Sequence, residues 1–144
     1  MIEKLSGTVF FQLDRAIKSY RQYAQKRLNE NGFSITIDQW LVLKTITDHD
    51  DISQNEIAEF IFKDKASVTR IIDLLITKGY LKRETPAENR RRVRLTITKA
   101  GKDIIEQILP TIKGNRKNAL VNCSAKELLI VESVLDKIIQ NCSK

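Results

Sequence analysis

Apolar positions recur along most of the chain at the three- and four-residue spacing of amphipathic helices. Ile2, Leu5, Val9, Leu13, Ile17, Tyr20 and Leu28 fall at steps of three, four or eight, and Asn31-Gly32 supplies a stop, so the pattern predicts a long first helix. Thr36 followed by Gln39 has the form of a capping box and opens a second helix through Trp40, Leu41, Leu43 and Ile46, which runs into the turn Asp48-His49-Asp50-Asp51. Ser53 and Glu56 repeat the signature ahead of a short third helix carrying Ile57, Ala58 and Ile61. Asp64 caps a fourth, in which Val68, Ile71, Ile72 and Leu75 form a stripe that Gly79 closes.

Past Gly79 the period shortens to two. Tyr80 to Glu84 reads as a strand, Thr85 to Asn89 as a turn, and Val93, Leu95 and Ile97 alternate with Arg94 and Thr96, so a β-hairpin is expected. Thr98 then caps a helix bearing Ile104, Ile105, Ile108, Leu109 and Ile112, with Pro110 predicting a kink or a local loss of backbone bonding. Ser124 and Glu127 cap the last, through Leu128, Val131, Leu135, Ile138 and Ile139. The predicted fold class is mainly α with a small β-hairpin wing: a winged helix-turn-helix lobe at 36–100, flanked by dimerisation helices at 1–35 and 101–144, with no internal repeat or linker dividing the 144 residues.

Charge sharpens this picture. Residues 63–99 hold eleven basic and four acidic side chains and so carry the whole formal charge of +7, while the remainder has fourteen of each sign. Charge gathered in a quarter of the chain points to a localised anion-binding face. A recognition helix must present short polar and cationic side chains opposite its core stripe to enter a groove about 12 Å wide. Lys65, Ser67, Thr69 and Arg70 occupy that face, with Asp73 beyond them, and the helix N-terminus offers N–H groups to a phosphate. On the hairpin, Arg90 and Arg91, next to Arg92, are the candidates for a narrow minor groove, while Lys82, Arg83 and Arg94 on the strands would meet backbone phosphates. The bland alternative for these arginines is a solvated basic turn.

Other chemistries find little support. No Gly-rich phosphate loop and no Ser-His-Asp set is present, so no enzymatic activity and no cofactor is expected. Asp48, His49, Asp50 and Asp51 read as a solvated turn in preference to a metal site, and Cys123 and Cys142 as reduced thiols. The longest apolar run near the C-terminus, Leu128 to Val131, is far short of the roughly 18 residues of a membrane span, so a cytoplasmic protein away from any membrane is expected. The first and last helices carry more apolar surface than a lobe of this size covers. Phe10, Phe11, Leu13, Ile17, Leu120, Leu128, Leu135 and Ile138 form the expected homodimer interface, the alternative being that these helices pack only within their own chain.

The order and spacing of Asp38-Gln39-Trp40, Ser53-Gln54-Asn55-Glu56-Ile57-Ala58, Ser67-Val68-Thr69-Arg70-Ile71-Ile72-Asp73, Lys78-Gly79-Tyr80-Leu81 and Ile97-Thr98-Lys99-Ala100-Gly101 resemble the MarR family of bacterial transcriptional regulators. The resemblance implies a homodimer binding double-stranded promoter DNA with inverted half-sites, usually as a repressor, and often released by a small aromatic or phenolic effector. It also implies a ligand pocket between the dimer helices and the DNA-binding lobe, for which Tyr20, Phe33 and Trp40 are the aromatic candidates, although core packing is the better reading for each. The family's wing carries an Asp two residues before an Arg; here those positions are Asn89 and Arg91, with Glu88 supplying an acid one residue earlier. Two further readings stay open: a winged module for protein or RNA contact, and an architectural protein that coats DNA without sequence choice.

Overall fold

A computed structural model of the chain describes residues 4–85, 88 and 93–143. Six α-helices and one hairpin follow each other in the expected order: α1 (Val9–Glu30), α2 (Ile37–Asp48), α3 (Gln54–Phe60), α4 (Lys65–Thr77), β1 (Leu81–Glu84), β2 (Arg94–Ile97), α5 (Lys99–Ala119) and α6 (Ala125–Cys142).

The caps sit where short side chains can reach the free N–H groups of a first turn. Thr36, Ser53 and Ser124 close full capping boxes with Gln39, Glu56 and Glu127, and Asp64 and Thr98 accept from the backbones of Ser67 and Gly101. The first helix differs from expectation. Thr8 caps it, so α1 begins at Val9, and Leu5–Gly7 is a separate 3-10 turn. The apolar period ran on through a residue whose hydroxyl, accepting from the Phe11 N–H, starts a new helix instead. Pro110 does not break α5, which continues from Lys99 to Ala119. Proline removes one backbone donor, and the helix continues past it at an exposed position.

The core lies in the winged lobe and the middle of α5. Val42, Leu43, Ile57, Val68, Ile72, Leu75 and Ile108 are fully buried, joined by Leu28 from α1 and by Leu81 and Leu95 from the hairpin. No residue of α6 is buried. Among the described residues no helix is long and apolar enough to cross a membrane.

Two glycines make the joint between lobe and wing. Gly79, at φ +81°, takes the left-handed turn that ends α4 and lets Tyr80 N–H reach the Leu75 carbonyl at 2.9 Å. Gly101, in the first turn of α5, lies against Tyr80: a β-carbon there would stand 2.3 Å from the Tyr80 carbonyl oxygen. Thr98 fastens the same joint, its hydroxyl donating to Gly79 O at 2.6 Å and its N–H to Tyr80 O at 3.1 Å.

Asp38 joins three elements. Its carboxylate accepts from Arg21 of α1 and lies 3.1 Å from Lys63 Nζ, in the turn before α4. Burial pushes the Asp38 carboxyl up, but the hydrogen bonds from Lys63 and Arg21 outweigh it and hold the group below its usual 3.8. A depressed folded value means stability present well above pH 3.8 and lost as the pH falls through the folded value. Urea unfolding of the wild-type chain and Asp38→Asn at matched pH is expected to show the wild type more stable at neutrality. That advantage should shrink on acidification below pH 3.8; a pH-independent difference would contradict the assignment.

Candidate nucleic-acid interface

The outer face of α4 carries Lys65, Thr69 and Arg70 in solvent, with Ser67 half-buried beside them. The inner stripe of Val68, Ile72 and Leu75 is sunk in the core, and that fixes which way the polar face looks. Ser67 donates its hydroxyl to Asp64 Oδ2 at 2.7 Å and its backbone N–H to Asp64 Oδ1 at 2.8 Å. Arg70 donates to Ser67 Oγ at 3.1 Å. These bonds form a chain from the cap to the guanidinium, so Arg70 is oriented before any partner arrives. The Ser67 bonds, side chain first and then backbone, hold the Asp64 carboxyl below the usual carboxylate range. The N-terminal N–H expected to receive a phosphate is thus occupied in part by the protein's own carboxylate.

Register decides what the wing residues do. Leu81 pairs with Ile97, Lys82 with Thr96, Arg83 with Leu95 and Glu84 with Arg94. Residues directly opposite share a face, so Arg83 lies on the face of buried Leu81 and Leu95, turned toward α4. It donates to Asp73 Oδ1 at 2.8 Å and to Gln54 Oε1 at 3.4 Å, while Gln54 Nε2 donates to Thr69 Oγ1 at 3.3 Å. Arg83, grouped in sequence with the phosphate-facing cations, bridges the wing and the recognition helix. Gln54 and Asp73 are its receivers. Gln54 carried no signal in the sequence beyond its place just after the Ser53 cap.

On the opposite face Lys82 pairs with Glu84 at 2.9 Å, and Glu84 accepts from Thr96 at 3.3 Å. The Lys82 bond lowers the Glu84 carboxyl from its usual value. Arg94 Nε lies 3.5 Å from Asp51, in the turn between α2 and α3. Arg90, Arg91 and Arg92 lie outside the described residues.

The expected interface side chains lie at the surface. Phe10 is 61% exposed and Ile17 52%, with Phe11 and Leu120 also exposed, and Leu13, Leu128, Leu135 and Ile138 half-buried. Pattern reading passed over Leu129, Ile130 and Val134, which are exposed on α6 beside them. Of the aromatic pocket candidates, Tyr20 lines an open cavity of about 670 Å³ between α1 and the end of α5, together with Tyr23, Arg116, Asn118 and Leu120. Trp40 lies in the core and Phe33 packs against it, so neither is brought to that cavity. Asn118 donates to the Tyr23 hydroxyl at 3.2 Å, and Arg116 brings a positive charge to the cavity wall. His49 is held by the Thr45 carbonyl at 2.8 Å and meets Phe60 edge-on at 4.8 Å.

Residues 35–93 match the model of the MarR family. Three solved structures are similar over nearly their whole length. A MarR/EmrR family transcriptional regulator from Acinetobacter sp. ADP1 shares 18% identity over 98% of this chain and 99% of its own, with a TM-score of 0.88. BpsR of Bordetella bronchiseptica, described in terms of regulation of its DNA binding by 6-hydroxynicotinic acid, shares 21% over 96% and 97%, at 0.84. MepR of S. aureus, solved in complex with DNA, shares 20% over 94% and 96%, at 0.80.

Proposed function

We propose that this chain, which the MarR family model matches over residues 35–93, is a sequence-specific transcriptional regulator of double-stranded DNA, working as a homodimer on inverted half-sites in the cytoplasm. It represses by occupying its operator and is released by a small aromatic effector. The observation that carries this reading is the polar face of α4, with Arg70 oriented through Ser67 and Asp64 and the wing strapped alongside through Arg83 and Asp73. A cationic helix held rigidly beside a basic ribbon suits one major groove and the flank next to it. The reading assigns the chain binding roles and no reaction.

The homodimer is supported by α6, whose Leu129, Ile130, Val131, Val134 and Ile139 stay exposed within their own chain. A two-fold axis through such an interface would set two α4 helices about 34 Å apart, one turn of the duplex. The effector reading rests on the cavity beside Tyr20 and Tyr23: its size is that of a small-molecule site, its walls are mostly apolar, and Arg116 offers a partner to a carboxylate or phenolate.

Selection of bound fragments from a random duplex pool is expected to return an inverted repeat. On that sequence Arg70→Ala should cost about 1–3 kcal/mol and relax one base position, whereas Lys82→Ala should weaken every sequence alike and lower the salt slope by about 1. A pool that returns no shared sequence would favour an architectural coat, and preference for single-stranded RNA or for protein would favour the other winged-module reading. Either result would end the regulator proposal.

A further inference from the structure

The connection between α1 and α2 and the first turn of α2, residues 34–39, is gripped from three directions. From α1, Gln25 Oε1 accepts from Ile37 N–H at 2.9 Å, Gln25 Nε2 donates to Ile35 O at 3.4 Å, and Arg21 donates to Asp38. From the turn ahead of α4, Lys63 reaches the other oxygen of Asp38 at 3.1 Å. From the far end of α4, Lys78 donates to Ser34 O at 2.7 Å and to Gln39 Oε1 at 3.2 Å. Gln39 is buried and at the same time closes the capping box with Thr36. Arg21, Lys63 and Asp38 are each about one-third exposed, so these bonds compete with water less than the open i,i+4 pairs of α1 do.

The consequence is mechanical. The 13 residues of α4 span about 20 Å, and its buried stripe already seats it in the lobe. The ties beside both of its ends lead to one short segment that α1 holds in turn. α1 also lines the cavity through Ala16, Ser19, Tyr20 and Tyr23, the last two close in sequence to Arg21 and Gln25.

We propose that Arg21, Gln25, Asp38, Lys63 and Lys78 are positioning residues that lock the lobe carrying the recognition helix to α1 through residues 34–39, and so set the angle at which α4 meets DNA. The proposal rests on the DNA-binding reading for its consequence and on geometry alone for the lock. A competing role for Lys63 and Lys78, direct contact with phosphates, differs in sign: Asp38→Asn removes an acid and no cation, so electrostatics alone would tighten DNA binding, while loss of the lock weakens it.

The test places nitroxide labels on the full chain at Gln22→Cys in α1 and Ala66→Cys in α4, both exposed, with Cys123→Ser and Cys142→Ser. Labelled chains are diluted with unlabelled ones, and the intrachain distance is read by pulsed electron resonance in the parent, Asp38→Asn, Lys78→Met and the double variant. Circular dichroism melts confirm that each is folded. A narrow parental distribution should broaden or shift in each single variant and most in the double one, and the double variant should bind its selected operator about tenfold more weakly. Unchanged distributions in the folded double variant would overturn the lock, and tighter DNA binding by Asp38→Asn with unchanged distances would assign the lysines to phosphates. Altered distances in a protein whose parent binds no duplex would uphold the lock and remove the DNA reading.

Discussion

A chain carrying Leu135→Glu and Ile138→Glu is expected to sediment as a folded monomer and to bind its operator at least a hundredfold more weakly than the wild type. α6 contributes nothing to the core of its own chain, so changes there cannot unfold the lobe by opening a cavity in it. Its exposed face is another matter. Leu129 is 67% exposed and Ile139 61%, with Ile130, Val131 and Val134 close behind, more apolar surface than a lone helix tolerates in water. Burying each Leu or Ile contributes about 1.5–3 kcal/mol, and a two-fold axis counts every substitution twice. Separating the protomers turns the second half-site contact from an intramolecular event into a bimolecular one, which loses a factor of about 10²–10⁴. Unaltered sedimentation, with unaltered operator affinity, would show that this face is not where the copies meet.

Gly101→Ala is expected to destabilise the fold more than the same change at any other glycine of this protein. The new β-carbon would meet the Tyr80 carbonyl oxygen at 2.3 Å and the Ile97 methyl at 2.8 Å. The first neighbour is backbone, pinned by the Thr98 N–H at 3.1 Å and by the turn at Gly79, so it has no rotamer into which to retreat. Overpacking of this kind costs about 3 kcal/mol, which at fixed protein concentration lowers the melting temperature by about 10 °C. Gly114, further along the same helix, has nothing within 4 Å of a built β-carbon and is the control: Gly114→Ala should leave stability unchanged or slightly raised. A melting temperature for Gly101→Ala equal to that of Gly114→Ala would refute the steric account.

The same joint explains two of the sequence fragments that carried the family resemblance. Lys78-Gly79-Tyr80-Leu81 and Ile97-Thr98-Lys99-Ala100-Gly101 are one structure, in which Thr98 bonds to Gly79 and Gly101 closes on Tyr80. Each fragment read alone suggested only a stop and a start. Their contact is a matter of three dimensions.

Much of the fold could be read in advance because its determinants are local. Thr36, Ser53, Asp64, Thr98 and Ser124 act on N–H groups three residues away, and the stripe of Val68, Ile72 and Leu75 faces inward by the pitch of the helix. So the elements, their order and the solvent-facing set Lys65, Thr69 and Arg70 were determined by the order of amino acids alone. Tertiary structure decided the rest, because it depends on neighbours distant along the chain. Arg83 turns toward α4 since its strand pairs it with Leu95, and only then do Asp73 and Gln54 come within reach. Trp40 went to the core, since the other helices of the lobe close over α2. The grip on residues 34–39 gathers side chains from α1, from the turn before α4 and from its far end, a meeting that no periodicity records because it exists only once the helices have packed.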